Sequence, residues 1–571
     1  MSVAAGAVVT ATRETPPDEV VDADDEPQPP VRRWFAPSLP GLWGALILAC
    51  LAFTPSLLPR TGLLQGAVAG IGAILGYGLG VLAALVWRAF AGRDPRRARR
   101  WSVVVFLVVA VLAVAAAVVA GRYWQGQLRE LMGLPAQGWG ESLLAVPVAL
   151  LAFVVLLAVC RILFQLGRGI GRLFARWMGR RGARALGGLL VGAVVVYLVS
   201  GLALDSFFTA TDRAFAAAND ATPDGVTRPT SDLRSGGPES LISWDSLGRE
   251  GRIFVAGGPS SADIAAFTGT RAADPIRVYA GVDSADTAEA RAALAVADLD
   301  RAGAFDRARL LVATTTGQGW LDAGAMSSFE YVAGGDSAIV ALQYSFVPSG
   351  FSYLVDASRA QTAGRALFDA VYGKWASLPV DRRPQLYVFG ESLGSFGGEA
   401  AFSGEADLRN RTSGALFVGP PNFNALHTEF RDDRDVGSPE VEPVYRDGRT
   451  VRFSTDVAAG APPSGVPWDG SRTLILQHPS DPITWWSPTL LFSRPDWLAE
   501  PRGRDVLPSM TWLPIVTFWQ VTLDMPAAAE VPEGHGHRYT AESVDAWALL
   551  LRPPDWTPQK ADQLRAIVAP R

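Results

Sequence analysis

Apolar residues are spread along this chain in two different ways. Between positions 40 and 204 they form long stretches, roughly Pro40–Leu58, Leu63–Phe90, Trp101–Gly121, Leu143–Phe164 and Leu186–Leu204. Each is long enough to cross a hydrocarbon core of about 30 Å as a helix, so five membrane spans are expected. Thr54, Pro55 and Ser56 crowd the end of the first. From about Ile253 the runs shorten, become β-branched and alternate with helical stretches, the pattern of βαβ units around a mostly parallel sheet. Strands are expected at Ile253–Ala256, Ile276–Ala280, Ala308–Ala313, Ala338–Gln343, Gln385–Phe389, Gly414–Val418 and Arg472–Gln477. Thr287–Ala302, Ala360–Ala376 and Ala541–Leu551 read as helices.

The organisation that follows is a tail over 1–36, a transmembrane helical bundle over 37–207 and an α/β domain over 208–571. The tail is rich in Pro, Asp and Glu without apolar periodicity and is expected to be disordered. The first apolar stretch begins too late for a cleaved signal peptide. Arginines orient the bundle. Arg93, Arg96, Arg97, Arg99 and Arg100 follow the second stretch, and Arg161, Arg168, Arg172, Arg176, Arg180, Arg181 and Arg184 follow the fourth. The other links carry few: Arg60 in one, Arg122 and Arg129 in the other. Basic residues stay on the cytoplasmic side, which puts the N-terminus there and the α/β domain outside the cytoplasm of a multi-pass cell-membrane protein.

Gly66, Gly70, Gly72, Gly76 and Gly80, with Gly188 and Gly192, recur at small-xxx-small spacing and predict close helix packing. No Asp, Glu or Lys lies deep in a span, against a proton-coupled transporter. The net charge of −5 predicts no nucleic-acid role, and the lipid bilayer is the expected partner. The two cysteines, Cys50 and Cys160, both fall within spans, so no disulfide staples the outer domain.

The chemistry centres on Gly390-Glu391-Ser392-Leu393-Gly394, which follows the apolar run Leu386–Phe389 and precedes a helical stretch, Gly394–Phe402. A serine on a sharp strand-to-helix turn is a nucleophile elbow, with its hydroxyl projected from the sheet and the Leu393 N–H facing a developing oxyanion. Asp481 follows the Arg472 strand, and His535 and His537 share a loop before the last apolar helix. The order Ser, Asp, His is that of the elbow hydrolases. The imidazole takes the serine proton and the carboxylate fixes its tautomer. Between the two histidines, His535 is favoured because it leaves more loop before the helix. Asp524 is the reserve acid. His427 reads as a surface or lid residue, His478 as a neighbour of the site. A metal at the histidine pair lacks an accompanying cysteine or carboxylate cluster, so no metal or cofactor is expected. The Ala308 strand opens into Thr314–Trp320, where Gly317 and Gln318 are candidates for a second oxyanion donor. Residues 420–470 read as a cap insertion, and the aromatics of Ile483–Met525 as core or acyl pocket.

GESLGSFGGEAAF around Ser392, QHPSDPITWW around Asp481, GHGHRY at 534–539 and QYSFVPSGFSYLVD at 343–356 resemble those of an actinobacterial family of multi-pass membrane proteins with a C-terminal α/β-hydrolase domain. The resemblance covers nearly the whole chain. It implies an α/β-hydrolase fold with Ser392 as nucleophile and leaves the substrate open. The expected activity is a membrane-anchored extracytoplasmic serine hydrolase, esterase or lipase, acting on an acyl ester of a lipid or envelope component. An acyltransferase using the same acyl-enzyme and a non-catalytic scaffold are the alternatives.

Overall fold

The computed structural model describes residues 38–92, 99–199, 218–346, 357–460 and 462–569. The expected tail, Arg93, Arg96 and Arg97, and most of the 343–356 motif lie outside these residues. The N-terminal part is a bundle of α1 (Leu39–Leu51), α2 (Gly62–Ala91), α3 (Arg100–Leu131), α4 (Trp139–Phe174) and α5 (Arg180–Val199). Of these, α2, α3 and α4 are long and apolar enough to cross a membrane, three where five were expected. The first apolar stretch stops being helical at Leu51, because Pro55 and Pro59 remove backbone donors and disfavour helical geometry in the residues before them. At 13 residues α1 rises about 20 Å, short of the hydrocarbon core. In α5 the apolar part is Ala185–Tyr197 only.

Close backbone approach holds the bundle together. A Cβ on Gly76 would meet the Gly44 carbonyl oxygen at 2.1 Å, and one on Gly70 would meet Ala152 Cβ at 2.5 Å. Gly72, Gly76 and Gly80 thus face α1, while Gly62, Gly66 and Gly70 face α4. In α5 the contact with α4 is made by Gly187; Gly188 and Gly192 have open space instead.

The C-terminal part is built on seven parallel strands in the order β1-β3-β2-β4-β5-β7-β6. They are β1 (Ile276–Ala280), β2 (Arg309–Thr314), β3 (Ser337–Leu342), β4 (Gln385–Glu391), β5 (Gly414–Val418), β6 (Val451–Ser454) and β7 (Arg472–Leu476). Nearly every strand residue is buried, as a parallel sheet covered on both faces requires. Ile253–Ala256, expected as a strand, is the end of a helix, Gly248–Ala256, that turns Phe254 and Val255 inward. The 420–470 insertion is not wholly irregular: it contains the helix Ala425–Asp432 and supplies the edge strand β6.

The two parts meet through the Ala52–Thr61 segment that links α1 to α2. Leu57 and Leu58, fully buried, join Leu128 and Met132 at the end of α3 in one apolar cluster with Trp485, Trp497, Val521, Ala528 and Val531 of the sheet domain. Complete burial of each leucine contributes about 1.5–3 kcal/mol. Most aromatics of the Ile483–Met525 stretch are therefore core, though Phe492 is exposed. The polar groups of the same link are matched across the seam. Asp524 ends the helix Val516–Asp524, which packs on α2; it accepts from Arg60 Nε at 2.7 Å and from the Ser56 hydroxyl. Both charged side chains are buried. Asp524 is thus committed to the seam and not to a histidine.

Removing one member of a buried ion pair leaves the other uncompensated, at a cost of about 3–5 kcal/mol. Arg60→Met should lower the unfolding stability of the full chain in detergent by about that amount, and Arg60→Met/Asp524→Asn should recover most of it. Equal losses in the single and double variants would contradict this account of the seam.

Candidate active site

At the carboxyl end of β4 the chain turns sharply into the helix Leu393–Glu399. Ser392 occupies the turn at φ 54° and ψ −127°, a conformation that L side chains rarely adopt and that nucleophile elbows impose. Three hydrogen bonds hold it there. Its N–H donates to the Val418 carbonyl of β5 at 2.9 Å, and its carbonyl accepts from both the N–H and the hydroxyl of Ser395. Gly394 has no alternative: a Cβ there would lie 2.4 Å from the Thr314 carbonyl oxygen at the end of β2. That contact also brings the Thr314–Trp320 loop over the elbow. Leu393, as the first helical residue, has no carbonyl one turn behind it inside the helix. Gly317 and Gln318 form the tip of the loop, which the Gly319 N–H closes onto the Thr316 carbonyl at 2.9 Å. Among the described residues neither Gly317 nor Gln318 donates its backbone N–H to another group.

Asp481 lies past the end of β7 and is fully buried. One oxygen caps the short helix Pro482–Trp485 by accepting from Ile483 N–H at 2.9 Å. The other accepts from Tyr539 Oη at 2.9 Å and lies 2.7 Å from Nδ1 of His537. The far nitrogen of that imidazole, Nε2, is buried and has no hydrogen-bond partner among the described residues. The ring rests against Gly419, where a Cβ would lie 2.5 Å from its Cε1. Gly419 directly follows Val418, the residue that holds the Ser392 amide. The structure thus brings His537, Asp481 and the elbow to one end of the sheet.

The favoured histidine of the pair is not the one on Asp481. His535 Nδ1 lies 3.2 Å from Asp505, whose carboxylate also takes the Ser480 hydroxyl. Gly536, at φ +53°, turns the chain between them, so one ring reaches Asp481 and the other Asp505. His427 is no surface residue: it is buried, with Nε2 2.8 Å from Gln477 Oε1. Tyr539 and Asp505 escaped the sequence reading. Tyr539 had a signal in its place two residues past His537; Asp505 sits in a loop without a motif.

Behind the elbow runs a buried polar network. Asn424 Nδ2 donates to Ser395 Oγ at 3.0 Å and to Glu399 Oε1 at 2.9 Å, and the His427 amide donates to Glu399 Oε2. Burial raises the Glu399 carboxyl to about 7. It lowers the His427 imidazole to about 3, with the Arg431 charge assisting. Glu391, beside Ser392, is held well above the usual carboxylate range by burial and then by the charges of Asp322, Glu533 and Asp481.

The model of a family described as "Alpha/beta-hydrolase family" matches residues 276–564. That of the "Alpha/beta-hydrolase family N-terminus" matches residues 53–259. No curated protein and no solved structure matches the chain significantly.

The Glu399 shift carries a stability consequence with a definite sign. Because the carboxyl is raised from 4.5 to about 7 on folding, its contribution is complete below 4.5 and is lost as pH climbs through about 7. The loss is on the order of 3 kcal/mol. Glu399→Gln should remove that decline from a plot of unfolding free energy against pH; an unchanged slope would show that the carboxyl is not neutral in the folded chain.

Proposed function

This chain belongs to an alpha/beta-hydrolase family, and we propose that it is a membrane-anchored serine hydrolase of the esterase or lipase type. The observation that carries the proposal is the His537–Asp481 pair, with its unpartnered Nε2, set against the strand end that holds Ser392. In this reading Ser392 Oγ attacks the acyl carbonyl carbon and passes its proton to His537 Nε2. Asp481 keeps the proton of the imidazole on Nδ1 and stabilises the cation that forms. The N–H of Leu393 and one from Gly317 or Gln318 receive the negative oxygen of the tetrahedral intermediate. The C–O bond to the leaving alcohol then breaks as His537 returns the proton to it. Water, activated by the same imidazole, releases the acid from the acyl-enzyme. Tyr539 supports the acid by donating to the Asp481 oxygen that serves His537.

The substrate class follows from where the domain is held. It docks on the end of α3 that carries Leu128 and Met132 and beside the start of α2, whereas Arg88 of α2 and Arg99 and Arg100 of α3 sit at the opposite ends, more than 25 residues of helix away. Basic residues favour the cytoplasmic side, so the domain is assigned to the outer face. An acyl ester of a membrane lipid or envelope component is the substrate class within its reach.

A membrane-impermeant fluorophosphonate applied to intact cells tests chemistry and orientation together. It should label the wild-type chain and not Ser392→Ala. With p-nitrophenyl butyrate, Asp481→Asn and His537→Ala should lower kcat by about 10⁴, while His535→Ala should stay within about tenfold of wild type. Labelling only after lysis would overturn the orientation. No labelling at all would overturn the enzyme and favour a scaffold.

A further inference from the structure

Among the described residues, His478 is the histidine with acceptors against both ring nitrogens. Nδ1 lies 2.8 Å from the Gly536 carbonyl oxygen, and Nε2 lies 2.6 Å from Glu542 Oε2. The ring is fully buried and stacks on Tyr539 at 3.9 Å between centroids. A carbonyl cannot donate, so Nδ1 must carry a proton. Glu542 Oε1 also accepts from Arg504 Nη2 at 3.2 Å, so both of its oxygens act as acceptors and the second proton sits on Nε2. Two protons on the ring make it an imidazolium.

What this cation holds is the loop of the proposed base. The Gly536–His537 peptide is fixed at both ends: its carbonyl accepts from His478, and its N–H donates to the Ala528 carbonyl at 2.8 Å. The Gly536 N–H donates to Ser480 Oγ at 2.8 Å. Gly536 itself takes φ +53°, and a Cβ there would meet the Ala528 carbonyl oxygen at 2.6 Å, so the loop has little room to relax. The backbone of His478 belongs to the same assembly, since its N–H donates to Tyr539 Oη, which in turn donates to Asp481.

We propose that His478 is a positioning residue for His537: as an imidazolium bridging Gly536 and Glu542 it sets the peptide that aims the base, and its deprotonation releases that peptide. The proposal rests on the reading of His537 as base. Burial opposes the charge on His478, but Glu542, then Asp505 and the Gly536 carbonyl, outweigh it and raise the imidazole above its ordinary value. The remaining groups around it are Arg504 on Glu542, His535 on Asp505, the stacked Tyr539, and Asp481 beyond the tyrosine hydroxyl. The carboxylate is the stronger acceptor and keeps the proton on Nε2, so loss on the alkaline side falls on Nδ1 and turns its contact with the Gly536 carbonyl into a pair of facing acceptors. Turnover should therefore fall at alkaline pH through the titration of a residue that never touches substrate.

The test uses the full chain in nanodiscs with ¹⁵N-labelled histidine, His478 being assigned by its disappearance in His478→Gln. Both His478 nitrogens should show protonated shifts at neutral pH, and they should lose that signature over the same interval in which kcat for p-nitrophenyl butyrate declines. His478→Gln should lower kcat by about 10- to 100-fold, leave KM within about twofold and abolish the alkaline limb, with fluorophosphonate still labelling Ser392. A bare ring nitrogen at neutral pH, or an alkaline limb unchanged in the variant, would overturn the proposal. If the variant does not fold, His478 is assigned by elimination from the spectra of His427→Gln, His535→Ala and His537→Ala, and the coincidence of its nitrogen titration with the kcat limb in the wild type decides. Failure of the wild type to label would overturn the hydrolase reading separately, since the nitrogen shifts do not depend on turnover.

Discussion

Two buried charges at one seam set the terms for the rest of this molecule. Arg60 belongs to the link between α1 and α2, Asp524 to the sheet domain, and each is shielded from water by the other's part of the chain. Neither is tolerable alone in such a place, because an unpaired buried charge carries a desolvation penalty of several kcal/mol. The link therefore behaves as a piece of the sheet domain that happens to be threaded through the bundle. Leu57 and Leu58 make the same point in apolar terms, contributing to a cluster whose other walls are tryptophans from the far end of the sequence.

From that seam the fold leads directly to the candidate site. A Cβ on Gly536 would come within 3.4 Å of Leu58 Cδ2, and Gly536 is the residue before His537. Ala528, which accepts the His537 N–H, is in the cluster with Leu58. One side of the histidine loop is thus packed by the helical bundle and its link, the other by the β7 end through His478, Ser480 and Asp481. The serine is placed by a different set of constraints, the ends of the neighbouring strands β2 and β5 on either side of β4. In the proposed enzyme the nucleophile is supported by the sheet, while the orientation of the base is shared between sheet and anchor. A helical bundle that docks in this way contributes to the packing of the site as well.

Much of this was legible in the residues, and the reasons for the misses are physical. Six of the seven strands stand within about two residues of their expected places because buried parallel strands are continuous apolar runs. The seventh, Val451–Ser454, is four residues long inside a polar insertion, too short for any periodicity. Ile253–Ala256 failed for the same reason, since a four-residue apolar run fits a buried helix turn equally well. The elbow was readable because its glycines are demanded by local geometry. The choice between His535 and His537 was not, because it depends on which carboxylate, Asp505 or Asp481, each ring meets across the fold. Five apolar stretches counted as five spans because hydropathy does not register where a helix ends; Pro55 and Pro59 carried that information, and the link they create is the segment that docks.

The claim that the anchor helps to aim the base is tested most directly by a double-mutant cycle on kcat between Leu58→Ala and His537→Ala. If Leu58 acts through the histidine loop, its truncation should lower kcat by about tenfold when His537 is present and leave the residual rate of His537→Ala unchanged. The same fractional loss from Leu58→Ala in both backgrounds would contradict the account, showing that the seam stabilises the fold without reaching the chemistry.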